Sequence, residues 1–391
     1  MYGVSIQKRN IMRANKIRIL HIAQAAGGVD RYIRILLKYL NQDKFENILV
    51  CSQYFDVKDY ENLVSHFEQI EMNREISVKD LMAIKKVRYL IKKYNPDIVY
   101  AHSSKAGAIA RVANIGIRNY CIYNPHGWAF NMRCSEKKVK LYTIIEKMAA
   151  YFCNKIICIS EMEKESALEK GICKEDKLQV IFNGVDIQAY EDKVHGVLDR
   201  KDLGIAKDAF VVGMVGRISP QKAPDVFIKM AKIVKEKIPN SQFIIVGDGE
   251  QEREIREYAQ KNGFGDSVHI TGWVEEPMDY VDLFDVACLL SRWEGFGLVL
   301  PEYMLAGKPI IASCVDAIPN IIKDGKNGLL VKVDDEIETS KKVVELYKNP
   351  DYGKQLVSYG LKDVYDRFDA RRVAIEHEVL FENVNIKKRK R

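Results

Sequence analysis

The sequence has eight cysteines in 391 residues, but none forms a Cys-x-x-Cys pair and none stands beside histidine at the spacing of a zinc site. That excludes a zinc-ribbon module and a thioredoxin-like redox centre, and it points to reduced thiols. No run of apolar residues is long enough to cross a bilayer as a helix. The segment Met1 to Lys16 is basic but lacks the apolar stretch of a secretory signal, so a cytoplasmic location is expected. Acidic residues are spread among the basic ones and the net charge is only +7, which argues against a nucleic-acid-binding face. The dinucleotide fingerprint Gly-x-Gly-x-x-Gly is missing too. Gly27-Gly28 and Gly247-Asp248-Gly249 each lack the third glycine, so the second of these reads as a turn after a strand.

What is present is a soluble, globular composition: 47% hydrophobic, 29% charged and 9% aromatic residues. A chain of this length is too long for one ordinary core and fits two domains. Short runs rich in isoleucine and valine alternate with stretches of helical period, the pattern of a parallel sheet covered by helices on both faces. The pattern occurs twice. In the first half, strands are expected at Ile17 to Ala23, Asn47 to Ser52, Asp97 to His102, Tyr120 to Tyr123, Lys155 to Ser160 and Leu178 to Phe182. A helix after Gly28 places Val29, Ile33, Leu36, Leu37 and Leu40 on one face. The polar stretch Asn183 to Asp208 reads as the connection between domains. The second cycle has strands at Phe210 to Val215, Gln242 to Val246, Val268 to Thr271, Val286 to Leu290, Pro309 to Ala312 and Gly328 to Val333. Helices are expected at Pro224 to Ile238 and Gln251 to Asn262, with more from Ile337 onward and a solvated basic tail, Lys387 to Arg391. The fold class is therefore α/β, two doubly wound Rossmann-like domains covering residues 1–190 and 205–369, with a helix over 370–386 returning to the first. Sheets of this kind bind ligands at the carboxyl ends of their strands, which leaves a cleft between the domains as the expected site.

Several motifs fall on those loops. Ser291-Arg292-Trp293-Glu294-Gly295-Phe296-Gly297-Leu298-Val299-Leu300-Pro301-Glu302 follows the strand Val286 to Leu290. Proline is tolerated only in the first turn of a helix, so Pro301 sets the helix start near Gly297 or Leu298. The N–H groups of Phe296 to Val299 then face a phosphate, while Glu294 and Glu302 reach hydroxyls on either side of it. The alternative for Glu302 is a charge that merely favours a helix N-terminus. Gly216-Arg217 and Lys222 follow the strand Phe210 to Val215; a guanidinium fork and a compact ammonium can together neutralise a diphosphate, unless they are ordinary surface cations. Gly27-Gly28 permits close approach of backbone to ligand at a helix start. His102 and His126 each end a strand and are expected to point outward. Lys137-Lys138-Val139-Lys140-Leu141-Tyr142 opens a helix with basic and aromatic residues interleaved, a pattern that suits either a membrane surface or a solvated helix face.

Taken together, these residues resemble the retaining glycosyltransferases of glycosyltransferase family 4, which have the two-domain GT-B fold. The resemblance runs from Gly27-Gly28 through Asn183-Gly184-Val185-Asp186 to Gly328. Its most specific element is a glutamate pair separated by seven residues, matched by Glu294 and Glu302. Gly216-Arg217 with Lys222, Pro125-His126-Gly127 and Cys158-Ile159-Ser160-Glu161 are similar to further family segments. The resemblance implies that Arg217 and Lys222 bind the diphosphate of a nucleotide sugar, that Glu294 contacts the donor sugar and that Glu302 holds the ribose. It further implies that His126 lies beside the donor sugar and assists catalysis. Gly27 and Gly28 would cover the phosphates, and Gly272, Trp273 and Val274 would lie along the base. Gly216, Phe296, Gly297, Leu298 and Val299 complete the expected donor contacts, and Asp30, His102 and Ser160 are the expected acceptor contacts. No metal or other cofactor is expected, in keeping with the lack of an Asp-x-Asp signature in the loops.

Ala223 and Asp30 depart from the family pattern, which often has glycine and glutamate there. Segments such as His102 to Gly107 and Asn124 to Phe130 resemble bacterial capsule and exopolysaccharide enzymes, which implies a UDP-sugar donor and a saccharide acceptor, commonly lipid-linked, at the inner membrane face. Two rivals fit the same pattern: a nucleotide-sugar 2-epimerase, and a two-lobed sugar-binding protein without catalysis.

Overall fold

A computed structural model describes residues 16–73, 77–132 and 135–389. The basic N-terminal segment, Cys134 and the last two residues of the basic tail lie outside the described residues. The chain divides into two units, residues Met1–Gly184 with Ala370–Arg391, and residues Val185–Asp369.

The first unit is built on strands β1 (Ile17–Ala23), β2 (Phe45–Cys51), β3 (His66–Gln69), β4 (Ile98–His102), β5 (Tyr120–Asn124), β6 (Lys155–Cys158) and β7 (Leu178–Val180). They form one parallel sheet in the order β3-β2-β1-β4-β5-β6-β7. Ile19, Leu20, Ile22 and Ala23 are all buried, as expected for a strand covered on both faces. Strand β3 is absent from the sequence expectation. It is a four-residue edge strand, His-Phe-Glu-Gln, without an apolar run, and only pairing with β2 makes it a strand.

The helix Gly28–Tyr39 buries Tyr32, Ile33, Leu36 and Leu37 against this sheet, two adjacent pairs four residues apart and so on one face. Full burial of each leucine contributes about 1.5–3 kcal/mol. On the same sheet face lies the last helix, Ala370–Arg389, through Val373, Ala374, Leu380 and Phe381. Asn41 and Lys44 bond its Glu378 and Glu382.

The second unit has strands β8 (Phe210–Val215), β9 (Ser241–Val246), β10 (Val268–Ile270), β11 (Val286–Leu289), β12 (Ile310–Ser313) and β13 (Leu329–Val331), parallel in the order β10-β9-β8-β11-β12-β13. Residues 185–208, expected to be a connection, are part of this unit. Arg200 donates to the carbonyls of Leu283 and Ala209 and pairs with Asp285 at 2.9 Å, while Lys193 pairs with Glu276 and Asp279. Polar composition there reflects ion pairs on a packed surface, not a free linker. The boundary falls at Gly184 instead. A Cβ on that residue would lie 2.9 Å from the backbone of Ala370, so glycine lets the two neighbouring crossings of the chain pass side by side.

Candidate active site

In the second unit the loop after β8 carries Gly216, Arg217 and Lys222. It lies against the turn Gly247-Asp248-Gly249 that follows β9. Ile218 N–H donates to the Asp248 carbonyl at 2.7 Å, and a Cβ on Gly247 or Gly249 would fall 2.2 or 2.3 Å from a carbonyl oxygen of the first loop. These glycines therefore serve loop packing. Gly247 also bridges to Gly272, which puts Gly272, Trp273 and Val274 beside the same turn, with the Trp273 ring exposed.

Lys222 points at the loop after β11. Its ammonium donates to the Glu294 carboxylate, which also accepts from Ser291 Oγ at 3.1 Å. Glu294 N–H donates to Asp316 Oδ2 at 2.8 Å, which fixes the backbone as well as the side chain. Glu294 is buried, so the pair is held in a poorly solvated place where Coulomb attraction is strong. Arg217 differs: it is 64% exposed in its side chain and meets Glu250 at 3.3 Å, an ion pair in water that contributes little.

Arg292 escaped the sequence reading. Its guanidinium meets Asp225 and Asp334 at 2.6 Å each and donates to the Pro220 carbonyl at 3.0 Å, and its N–H donates to the Gln221 carbonyl at 2.8 Å. It thereby clamps the loop of Lys222 to the loop of Glu294. Nothing in the sequence separates it from a surface cation, because its partners come from two distant segments, residues 220–225 and Asp334.

The helix after Glu294 spans Val299–Leu305, one residue beyond the start expected from Pro301, with Gly297 at φ +84° and Leu298 as its N-cap. Glu302 lies in its first turn and is buried. Tyr303 anchors this helix by accepting from Val215 N–H at 2.8 Å, and Phe296 packs on Phe368. Arg217, Lys222, Glu294 and the Phe296–Val299 turn thus sit on neighbouring loops at the carboxyl ends of the adjacent strands β8 and β11, with Glu302 on the helix that follows.

In the first unit Gly27 has φ +91°, which glycine alone adopts easily, and caps the helix Gly28–Tyr39. Asp30, an expected acceptor contact, faces inward: its carboxylate accepts from Arg34 and, at 2.7 Å, from Tyr60 Oη. Ser160 is buried and caps the helix Glu161–Glu169 by accepting from Glu163 N–H at 3.2 Å. His102 does not point outward as expected; it is fully buried between two other histidines, 3.2 Å from His21 and 3.1 Å from His126. His126 lies at the partly exposed end of this row with φ +51°, a left-handed backbone that is uncommon outside glycine. Its N–H donates to Asn124 Oδ1 at 2.9 Å. Burial pushes His126 down to about 3 and His21 and His377 to about 4, so the row is neutral at pH 7. Among the described residues no group of three or more His, Cys, Asp or Glu side chains is arranged to hold a metal ion.

Comparison with known proteins matches both units. Residues 26–189 fit the family described as Glycosyltransferase Family 4, and residues 198–363 fit Glycosyl transferases group 1. The UDP-Gal:alpha-D-GlcNAc-diphosphoundecaprenol alpha-1,3-galactosyltransferase of Escherichia coli is 32% identical over 331 residues, 82% of this chain and 85% of its own. The chain belongs to glycosyltransferase family 4. This glycosyltransferase is also 26% identical to the capsular polysaccharide biosynthesis glycosyltransferase CapM of Staphylococcus aureus, over 93% of the chain and 96% of CapM. In fold it is similar to the crystal structure of Anabaena Alr3699/HepE in complex with UDP and glucose, with a TM-score of 0.81 and 22% identity over 94% of this chain and 99% of the other. Its two Rossmann-like units are those of the GT-B fold.

Proposed function

We propose that the protein is a retaining, metal-independent glycosyltransferase that moves a hexose or N-acetylhexosamine from a UDP-sugar to a lipid-linked saccharide in cell-surface polysaccharide synthesis. The observation that carries the reading is the convergence of Arg217, Lys222 and Glu294 on adjoining loops of the second unit. The UDP-Gal-dependent relative and its diphosphoundecaprenol-linked acceptor support the choice of substrates.

In this reading the donor diphosphate takes the place of Glu294 as the partner of Lys222, and Arg217 exchanges Glu250 for the same diphosphate. The bond from the anomeric carbon to the diphosphate oxygen breaks, and the acceptor oxygen bonds that carbon on the same face. A phosphate oxygen takes the acceptor proton. Two fixed cations stabilise the growing charge of the leaving group without metal; loss of one preorganised contact of this kind typically costs about 3 kcal/mol of barrier. Glu294, released from Lys222, turns to the sugar, and Glu302 to the ribose.

The acceptor would be met at the cytoplasmic membrane face. Among the described residues no helix is long and apolar enough to cross a membrane. Helix Glu136–Ala150 exposes Leu141, Ile144 and Met148, and Tyr151 follows. Spaced three or four apart, these four share one face. Lys137, Lys138 and Lys140 are exposed at the start of this helix; Tyr142, read from the sequence as part of the surface, instead packs half-buried on the core.

The test is incubation with a panel of UDP-sugars and a polyprenyl-diphosphate saccharide in excess EDTA. A product whose new linkage keeps the anomeric configuration of the donor is expected. Dependence on added magnesium or manganese would remove the metal-free mechanism, inversion would remove retention, and epimerised donor without transfer would favour the 2-epimerase.

A further inference from the structure

The polar row in the first unit crosses the sheet strand by strand. Asn47 stands on β2, His21 on β1, His102 on β4 and His126 just after β5, and these strands are successive neighbours. His21 Nε2 meets Asn47 Oδ1 at 3.2 Å, His21 Nδ1 meets His102 Nε2 at 3.2 Å, and His102 Nδ1 meets His126 Nε2 at 3.1 Å. Asn47, His21 and His102 are buried; Tyr32, from the helix Gly28–Tyr39, packs on the rings of His102 and His126 and bonds His377 of the helix Ala370–Arg389 at 3.0 Å.

An amide oxygen can only accept, so His21 must carry its proton on Nε2, which leaves Nδ1 bare. His102 must then donate from Nε2 and accept at Nδ1, and His126 must donate from Nε2. Each link leaves one choice for the next. The row ends at His126 Nδ1, which has no hydrogen-bond partner among the described residues. Neighbouring His377 is fixed separately in the opposite form, since its Nδ1 can only donate to the Val373 carbonyl at 2.7 Å.

We propose that Asn47, acting through His21 and His102, locks His126 as the Nε2–H tautomer and so presents Nδ1 as a hydrogen-bond acceptor for a hydroxyl of the bound sugar. The hydroxyl partner rests on the functional reading above; the lock itself does not. Asn47, His21 and His102 are positioning residues. The left-handed backbone of His126, held by Asn124, fits a side chain whose direction matters. His102 thereby gains a role different from acceptor contact.

Long-range proton–nitrogen correlation spectra of the full chain carrying nitrogen-labelled histidine read each tautomer directly. The wild type is expected to hold His21, His102 and His126 with the proton on Nε2, and His377 with it on Nδ1. Asn47→Leu removes the acceptor that sets the direction, so His126 should become a mixture of tautomers although it does not touch residue 47. With half of the molecules in the accepting form, kcat/KM for the UDP-sugar should fall about twofold, in proportion to the competent fraction. His102→Leu cuts the row one link later and should give the same mixture. A wild-type His126 with Nδ1–H, or a His126 tautomer that neither variant alters, overturns the lock. Efficient transfer with His126 in the Nδ1–H form would remove the lock and leave the enzymatic reading intact. A locked His126 in a protein that transfers no sugar would remove the enzymatic reading and the hydroxyl partner with it.

Discussion

The first unit buries His21, His102, His377, Tyr32 and Tyr100 as neutral hydrogen-bonding groups, whereas the loops of the second unit gather Lys222, Glu294, Arg292, Asp225 and Asp334 into ion pairs. The sheets that carry them are alike, parallel and covered on both faces. A neutral row can fix the direction of a hydrogen bond but attracts no charge. An ion-paired loop is set to exchange one anion for another. The first device suits recognition of sugar hydroxyls and the second suits a diphosphate, so the two units are expected to fail under different treatments.

The largest effect is expected where the charge is least solvated. Lys222→Ala should lower kcat by about a hundredfold to a thousandfold, because in the proposed mechanism it removes a partly buried cation from the leaving group. Arg217→Ala should cost less, about tenfold, since its exposed guanidinium acts through water-screened attraction. Steady-state kinetics at saturating acceptor decide this. Equal losses would mean that burial does not rank the two cations, and no loss in either would remove the diphosphate assignment.

Acid treatment should divide the units in the other direction. Burial lowers His21 and His377 from the usual 6.5 to about 4 and His126 to about 3, and it holds His102 well below 6.5 as well. Between these values the unfolded chain holds protons that the folded unit refuses, so stability falls as pH drops from 6.5 toward 4. Each such histidine contributes up to about 1.4 kcal/mol per pH unit. Glu163, raised by burial to about 8, works the opposite way: its folded form keeps a proton from 4.5 upward, and stability falls as pH rises toward 8. With four histidines against one carboxyl, amide exchange in β1 and β4 should speed up from pH 7 to pH 5 relative to β8 and β11. Equal change in both sheets would contradict the contrast.

This contrast also explains what could be read from the sequence. Strands β1 and β8 were expected at the residues where they occur, because continuous burial makes continuous apolar runs. That a helix starts within two residues before Pro301 followed from that proline alone. The loop residues proposed to meet the diphosphate were legible because glycine, arginine, lysine and glutamate stand close together in the sequence. The neutral row was not. Asn47 and His21 sit inside strands as single polar residues among apolar ones, and only sheet order makes them neighbours of His102 and His126. Arg292 was hidden for the same reason. His102 departs from the outward direction expected of a strand end because Tyr32, from the helix Gly28–Tyr39, and Tyr100 pack on its ring.

The smallest effect is expected on the surface of the first unit, where charge is exposed and apolar area modest. Each lysine near an anionic bilayer contributes about 1 kcal/mol, and the attraction fades within roughly 10 Å at ordinary ionic strength. Changing Lys137, Lys138 and Lys140 to glutamine should therefore weaken binding to vesicles of anionic lipid at low salt and matter little at high salt. Ile144→Ser removes part of the apolar face instead, and its effect should persist at high salt because burial of hydrocarbon is not screened. Co-sedimentation of wild type and both variants at two salt concentrations separates these contributions. If all three proteins stay in the supernatant at low salt while transfer to a soluble saccharide proceeds at full rate, this helix is a solvated face and the acceptor is met away from the bilayer.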